Sequence, residues 1–431
     1  MVSPHRGRLT AVALFGCVFL YMFADSLQQT VLPLSLETTG ASVEMIGLFV
    51  AIPQGIGFLS ALPAVAHADR VGRGPITVLN SIVAVVAMLC LAWAATGQPL
   101  PWWVIGIVVF GLTRLTVWTC ILATLSTTGD PLHMQGINGA TQRAAAAIAA
   151  VSAAAVIATQ AWSWAFLLVA VALLVMTPLA ALALRATKPP AVASLPTPAV
   201  SFAVAGRLAV RNRPIIASSM VGTSCLVVML VGNAFFALSL VDSPVELAVA
   251  VATLLVMRDL TSIGLGLLFR PLASRVDLGR LILIATVCGA TGVAFLAVAP
   301  GETWVSVIAG CLQGAAIAWC IGATNLLAVG MGEGASRGAA LRIASSTIIP
   351  GVTSFALPLV LALALGTGGA ASMFFTAAGV IVVLGCAGYL VARTSVSFAR
   401  SIPAQAEDGL TDEDNATEPV AILSDRGTAD R

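Results

Sequence analysis

The sequence predicts an all-α membrane protein with twelve transmembrane helices in two pseudo-symmetric six-helix bundles. Three observations carry that prediction. The chain of 431 residues is 59% hydrophobic and only 9% charged, whereas a soluble domain carries about 25% charged residues to solvate its surface. Its apolar residues fall in long unbroken blocks. The basic residues occupy every second break between those blocks.

The mean hydropathy of +1.00 leaves too few polar side chains to cover a water-soluble body. Lipid then serves as the solvent, and only helices or closed barrels satisfy their backbone amides there. A barrel would alternate apolar and polar residues over strands of about ten residues. Blocks such as 162–184 and 370–392 are continuous instead, the length of helical spans of about 20 residues. Breaks rich in charge, Pro, Gly or Trp divide the chain into blocks near 10–34, 44–66, 76–96, 102–124, 136–159 and 162–184. The second set lies near 214–240, 246–270, 280–299, 303–328, 341–366 and 370–393. The first block follows a basic start (His5, Arg6, Arg8), but it is long and contains Asp25. It therefore reads as a retained helix, not as a cleaved signal.

One set of loops lacks Lys and Arg and carries Glu37, Asp242, Glu246 and Glu302. The other holds Arg70, Arg73, Arg185, Lys188, Arg207, Arg211, Arg213, Arg270, Arg275, Arg280, Arg337 and Arg342. Positive residues mark the cytoplasmic side. Both termini are expected there, in a multi-pass protein of the cell inner (cytoplasmic) membrane. Trp102, Trp103, Trp162 and Trp304 fall at the opposite ends of their spans, as an aromatic belt would.

The expected domains are an N-terminal bundle over 1–184, a central cytoplasmic loop over 185–213, a C-terminal bundle over 214–393 and an acidic, disordered tail over 394–431. The loop is extended by Pro189, Pro190, Pro196 and Pro198. Residues 201–212 read equally as a short basic surface helix or as an unstructured loop. The eight cysteines all lie in apolar blocks, which suits small buried hydrophobes and not a metal site.

Polar landmarks recur in both halves. Ala68-Asp69-Arg70-Val71-Gly72-Arg73 follows span 2, and Ala273-Ser274-Arg275-Val276-Asp277-Leu278-Gly279-Arg280 follows span 8. Gly139-Ala140-x-x-Arg143 opens span 5, and Gly338-Ala339-x-x-Arg342 opens span 11. These repeats point to a duplicated six-helix unit with a substrate site between its halves.

The Asp-Arg-x-Gly-Arg loop, the paired halves and the long central loop resemble the major facilitator superfamily from about residue 10 to 393. The resemblance implies an inner gate made by Asp69, Arg70, Gly72 and Arg73, with Arg143 and Arg275 beside it. Gly72 would permit the tight turn, and exposed ion pairs are weak enough to break in each cycle.

Ionisable groups at membrane depth are functional candidates by default. Asp25 lies in span 1, Arg114 in span 4, and Arg258 with Asp259 in span 8; Arg143, nearer the end of span 5, could snorkel. Gly111-x-x-Arg114 resembles the arginine-bearing fourth span of proton-coupled family members, although Trp118 stands where Gly is frequent. Asp25 is thus expected to bind the proton and Arg114 to be its partner, with a static structural pair as the alternative. Adjacent helical residues point about 100° apart, so Arg258 and Asp259 are not expected to pair with each other; contact with another span is the expectation. Gln28, Gln54, Asn233, Gln313 and Asn325 are candidates for substrate contact, together with Arg258 and Asp259, or alternatively for hydrogen bonds between helices.

Span 5 (Ala149-Ala150-Val151-Ser152-Ala153-Ala154-Ala155) lacks the Gly and Pro of family antiporters. The expected function is alternating-access secondary transport, with proton-coupled efflux of small amphipathic drugs or metabolites as its form. The alternative is uptake or exchange of a small organic anion, since Arg114, Arg143 and Arg258 outnumber Asp25 and Asp259 within the spans. His5, His67 and His133 are scattered and Lys188 is the lone lysine, so no catalytic cluster or phosphate-binding loop argues for an enzyme. Expected partners are a small-molecule substrate, protons and the bilayer, with no nucleic acid and no cofactor, in a monomer.

Overall fold

The computed structural model describes residues 4–125, 131–184, 210–240, 243–273, 275–329 and 348–394. Most of the central loop, including residues 201–209 of the 201–212 segment, and the acidic tail from residue 395 lie outside the described residues.

The described residues form helices α1 (Pro4–Glu37), α2 (Val43–Val71), α3 (Arg73–Ala94), α4 (Leu100–Leu125), α5 (Pro131–Thr159) and α6 (Trp162–Leu184). After the central loop come α7 (Arg213–Leu230), α8 (Pro244–Leu267), α9 (Leu278–Phe295), α10 (Thr303–Val329) and α11 (Ile348–Arg393). A short helix, Phe269–Ala273, follows α8. Among the described residues, eleven helices are long and apolar enough to cross a membrane. The last of them is interrupted: Gly369 adopts φ 72° and ψ −172° within the 46 residues of α11.

Local chemistry sets several of the helix starts. Ser42 accepts a hydrogen bond from the Met45 amide at α2, Asn212 from Ile215 at α7, and Asp277 from Arg280 at α9. Ser243 and Glu246 form a reciprocal capping box at α8, with Pro244 inside the first turn. Such caps satisfy orphan amides that a helix end otherwise exposes. At the junction of α2 and α3, Gly72 takes φ 111°, a conformation that strains any L side chain.

The helices are apolar on the outside and small or polar within. On α3, Leu79, Ile82, Val86 and Leu89 are exposed, while Thr77, Ser81, Ala84 and Ala87 are buried. A soluble helix shows the reverse; here the outward stripe meets lipid tails. Small buried residues allow close approach of backbones. In α5, Ala145, Ala146, Ala149, Ala150 and Ala153 are all buried.

Packing links α1 to α5 and α6, α3 to α4 and α6, and α2 to α4. It links α7 to α10 and α11, α8 to α10, and α9 to α10 and α11. The two groups meet chiefly through α5 against α8 and α2 against α11. Gly310 and Gly314 let α10 rest on the α8 backbone: a Cβ at Gly314 would lie 2.3 Å from the Arg258 carbonyl oxygen. Trp102 and Trp304 are exposed, whereas Trp103 is 1% exposed and meets Phe166 edge-to-face at 6.0 Å, because its turn of α4 faces the protein.

Gly314→Ala should destabilise the protein, since the backbone on which the new methyl lands cannot move aside; overpacking costs about 1–3 kcal/mol. Gly264→Ala, on α8 with nothing within 4 Å of its would-be Cβ, should not. Thermal unfolding of the two purified variants measures the difference.

Candidate functional site

Two groups of charged side chains lie inside the helices. The first joins α1 to α4. Arg114 Nε donates to Asp25 Oδ1 at 2.5 Å and Arg114 Nη2 donates to Oδ2 at 3.0 Å, with both side chains 8% exposed. The planar guanidinium matches a carboxylate in this two-bonded arrangement. Gln29, four residues beyond Asp25 and so on the same helical face, donates to Asp25 Oδ2 at 2.6 Å. Four residues before Asp25, Tyr21 donates its hydroxyl to the Arg114 carbonyl at 2.7 Å.

Tyr21 also stacks on Trp118, with centroids 5.4 Å apart and planes 12° apart. That contact gives a physical role to the tryptophan standing where the resembling family often has glycine. It fastens α1 to α4 one turn from the ion pair. Tyr21 and Gln29 were missed in the sequence, although the spacing of four on each side of Asp25 was a usable signal.

The second group joins α5, α8 and the turn that follows α7. Arg258 and Asp259 are bonded to each other, with Nε to Oδ1 at 3.2 Å and Nη2 to Oδ2 at 3.1 Å. This corrects the expectation that neighbours about 100° apart do not pair: the long arginine side chain curls across that arc. Arg258 Nη1 donates to Asn233 Oδ1 at 2.8 Å. Arg143 Nη1 reaches the same carboxylate from α5, 3.4 Å from Asp259 Oδ1.

Arg143 therefore does not snorkel. It is 2% exposed, because α5 extends back to Pro131 and places it about 18 Å along the helix. Its geometry ties it to Asp259.

The surroundings of this second group are close-fitted. Residues Val231–Phe235 form a π-helical turn, closed by the Phe236 amide on the Val231 carbonyl at 2.7 Å. Such turns are rare and frequently mark functional sites. Next to Asn233, a Cβ at Gly232 would stand 2.9 Å from Arg258 Nη1 and 3.4 Å from Gln313 Oε1, so a side chain there would displace the guanidinium. Gln313 is fully buried, and its amide nitrogen is 3.5 Å from the Gly292 carbonyl oxygen.

Of the other candidates, Gln28 and Gln54 are buried on α1 and α2, apart from either charge group in the hydrogen bonds given above. Asn325 lies on α10, but its side chain is outside the described residues, as are those of Asp69 and Arg70 at the end of α2. Gly72 has the backbone form the turn requires, Arg73 opens α3, and Arg275 is exposed beyond the short helix.

The chain matches the Major Facilitator Superfamily over residues 14–341. It belongs to that superfamily. No curated protein sequence matches the chain. Among solved structures, it is similar to the human organic anion transporter MFSD10 (TETRAN), at 15% identity and a TM-score of 0.63, covering 89% of this chain and 99% of that one. The nucleoside transporter NupG gives 12% identity and a TM-score of 0.61 over 89% and 99% of the two chains. A POT family transporter in complex with a thioalcohol-conjugated peptide gives 12% identity and a TM-score of 0.63, over 90% and 96%. At these identities the likeness concerns the fold, that of a multi-pass membrane transporter.

Breaking the first pair from one side should destabilise the protein by about 3 kcal/mol or more, because the remaining charge stays buried. Arg114→Gln alone is thus expected to lower the thermal midpoint markedly. The double variant Asp25→Asn with Arg114→Gln should recover most of the loss, which a double-mutant cycle of unfolding midpoints measures.

Proposed function

We propose that the chain is a proton-coupled secondary transporter that exports small amphipathic molecules across the cytoplasmic membrane by alternating access. The observation that carries this reading is the buried, two-bonded pair of Asp25 and Arg114. A membrane transporter of this fold needs a small molecule and an energy source. A carboxylate at this depth, held among the described residues only by groups of α1 and α4, is the group to which this reading gives the proton.

The twelve-span, two-bundle reading belongs to the same proposal. Gly369 divides α11 into two stretches, each about the length of a span. The packing partners fall into one set from α1 to α6 and one from α7 to α11, joined by α5 with α8 and α2 with α11. Each bundle then moves as a body about those two contacts while the cavity between them opens to either side. Contacts of α1 with the turns of residues 231–239 support a closed outer side. On this reading both termini are cytoplasmic, the protein works as a monomer, and Asp69, Arg70, Gly72, Arg73 and Arg275 act at the inner gate.

The test is transport by purified protein in liposomes under an imposed pH gradient, with lipophilic cations, neutral drugs and organic anions as probes. Wild type should move protons when a transported probe is added. Asp25→Asn, made with Arg114→Gln so that no charge is stranded, should abolish that movement, whereas Asp25→Glu should retain part of it. Undiminished probe-driven proton movement in the double variant would contradict the assignment.

A further inference from the structure

The two buried charge groups differ in balance. Asp25 meets one guanidinium, but Asp259 meets two, those of Arg143 and Arg258. The three side chains of the second group are between 0% and 2% exposed. A surplus positive charge is therefore held where solvation is poorest, at a cost that only another interaction offsets.

Unpaired polar atoms accompany that charge, the acceptor Gln313 Oε1 among them. Among the described residues, Arg143 Nε and Asn233 Nδ2 are buried donors without an acceptor. Both atoms of the Asn138 carboxamide, also on α5, are buried without a partner. Arg143 is held to Asp259 by one long contact of 3.4 Å, against the two bonds and the Asn233 contact that fix Arg258. An idle donor, Nε, and the weak tie both fall on Arg143, on α5 where it packs against α8 and the two groups of helices meet. Buried donors left without acceptors are rare in folded proteins and ask for an explanation.

We propose that this cluster is a binding subsite for an anion, and that the transported amphipathic molecule carries a carboxylate or a comparably compact anionic group. The anion accepts from Arg143 and Asn233 when α5 and α8 part at this level. Arg258 stays on Asp259 and serves as a positioning residue. Because α5 packs on α1 as well as on α8, movement of Arg143 towards an anion is transmitted to the helix that carries Asp25. The inference rests on the proposed transport function and supplies its substrate class.

The test compares matched probes, each a carboxylate and its primary amide: benzoate with benzamide, phenylbutyrate with phenylbutyramide, decanoate with decanamide. Binding is read from thermal stabilisation of the purified full-length protein, and flux is read in liposomes. Wild type should bind and move acids in preference to amides. Arg143→Gln should weaken acids about tenfold to a hundredfold, the worth of a charge-assisted hydrogen bond, and leave the amides unchanged. Arg143→Lys keeps the charge but loses Nε, and should fall between the two; it serves as the reading if the glutamine variant does not fold. Equal handling of acids and amides by wild type, or an acid preference that survives in both variants, overturns the proposal. Arginine-dependent acid binding without proton movement would support the subsite and refute the proton coupling. Proton-driven flux confined to amides or lipophilic cations would do the opposite.

Discussion

A charge inside a bilayer needs an opposite charge within hydrogen-bonding reach, and the interior of this protein is arranged around that requirement. Among the described residues, five ionisable side chains are buried in two groups, Asp25 with Arg114 and Asp259 with Arg143 and Arg258. Each group joins helices that are remote in sequence, so the ion pairs fix which faces of α1, α4, α5 and α8 turn inward. Apolar packing alone could not do so. Lipid tails are as apolar as leucine, and no hydrophobic force distinguishes the inward from the outward face of such a helix.

Small residues make these contacts possible. Gly310 and Gly314 bring α10 against α8 beside Arg258, and Gly232 leaves room for the guanidinium against α7. The π turn of residues 231–235 carries Asn233, whose carbonyl oxygen accepts from Arg258. A larger side chain at any of the three glycines would push on the charge cluster, so packing and electrostatics are linked at one place. On the opposite side of the interface, α2 and α11 meet through Gly47 against Ala362, Gly55 against Phe355 and Gly351 against Phe58. Those contacts are uncharged, whereas the α5–α8 contact carries the ion pair of Arg143 and Asp259.

Much of this was legible in the sequence. Block length and hydropathy located the helices within a few residues, and the scarcity of ionisable groups at depth singled out all five buried charges. The Asp25 and Arg114 contact was anticipated from the resemblance of span 4 to the arginine-bearing span of proton-coupled family members. Arg143 was placed too near the surface, since the distance from a predicted loop does not reveal how far α5 continues towards Pro131. The pairing of Arg258 with Asp259 was excluded on helical geometry that ignored the reach of the arginine side chain. The twelve-span count meets eleven helices, because a helix running through Gly369 is a matter of backbone angle at one residue. Asn233 was recognised as polar within a span, but nothing in its neighbours signalled a π turn.

The functional account assigns a proton to the balanced pair and an anion to the unbalanced one, with α5 touching both α1 and α8 between them. Its central claim is that filling one site changes the protonation of the other. Calorimetric titration of the purified protein with phenylbutyrate, repeated in two buffers of different ionisation enthalpy, counts the protons exchanged on binding. The account predicts a binding heat that depends on buffer in wild type and becomes independent of buffer when Asp25→Asn is combined with Arg114→Gln. Binding with no proton exchanged in wild type, or an exchange unaltered in that double variant, would contradict it.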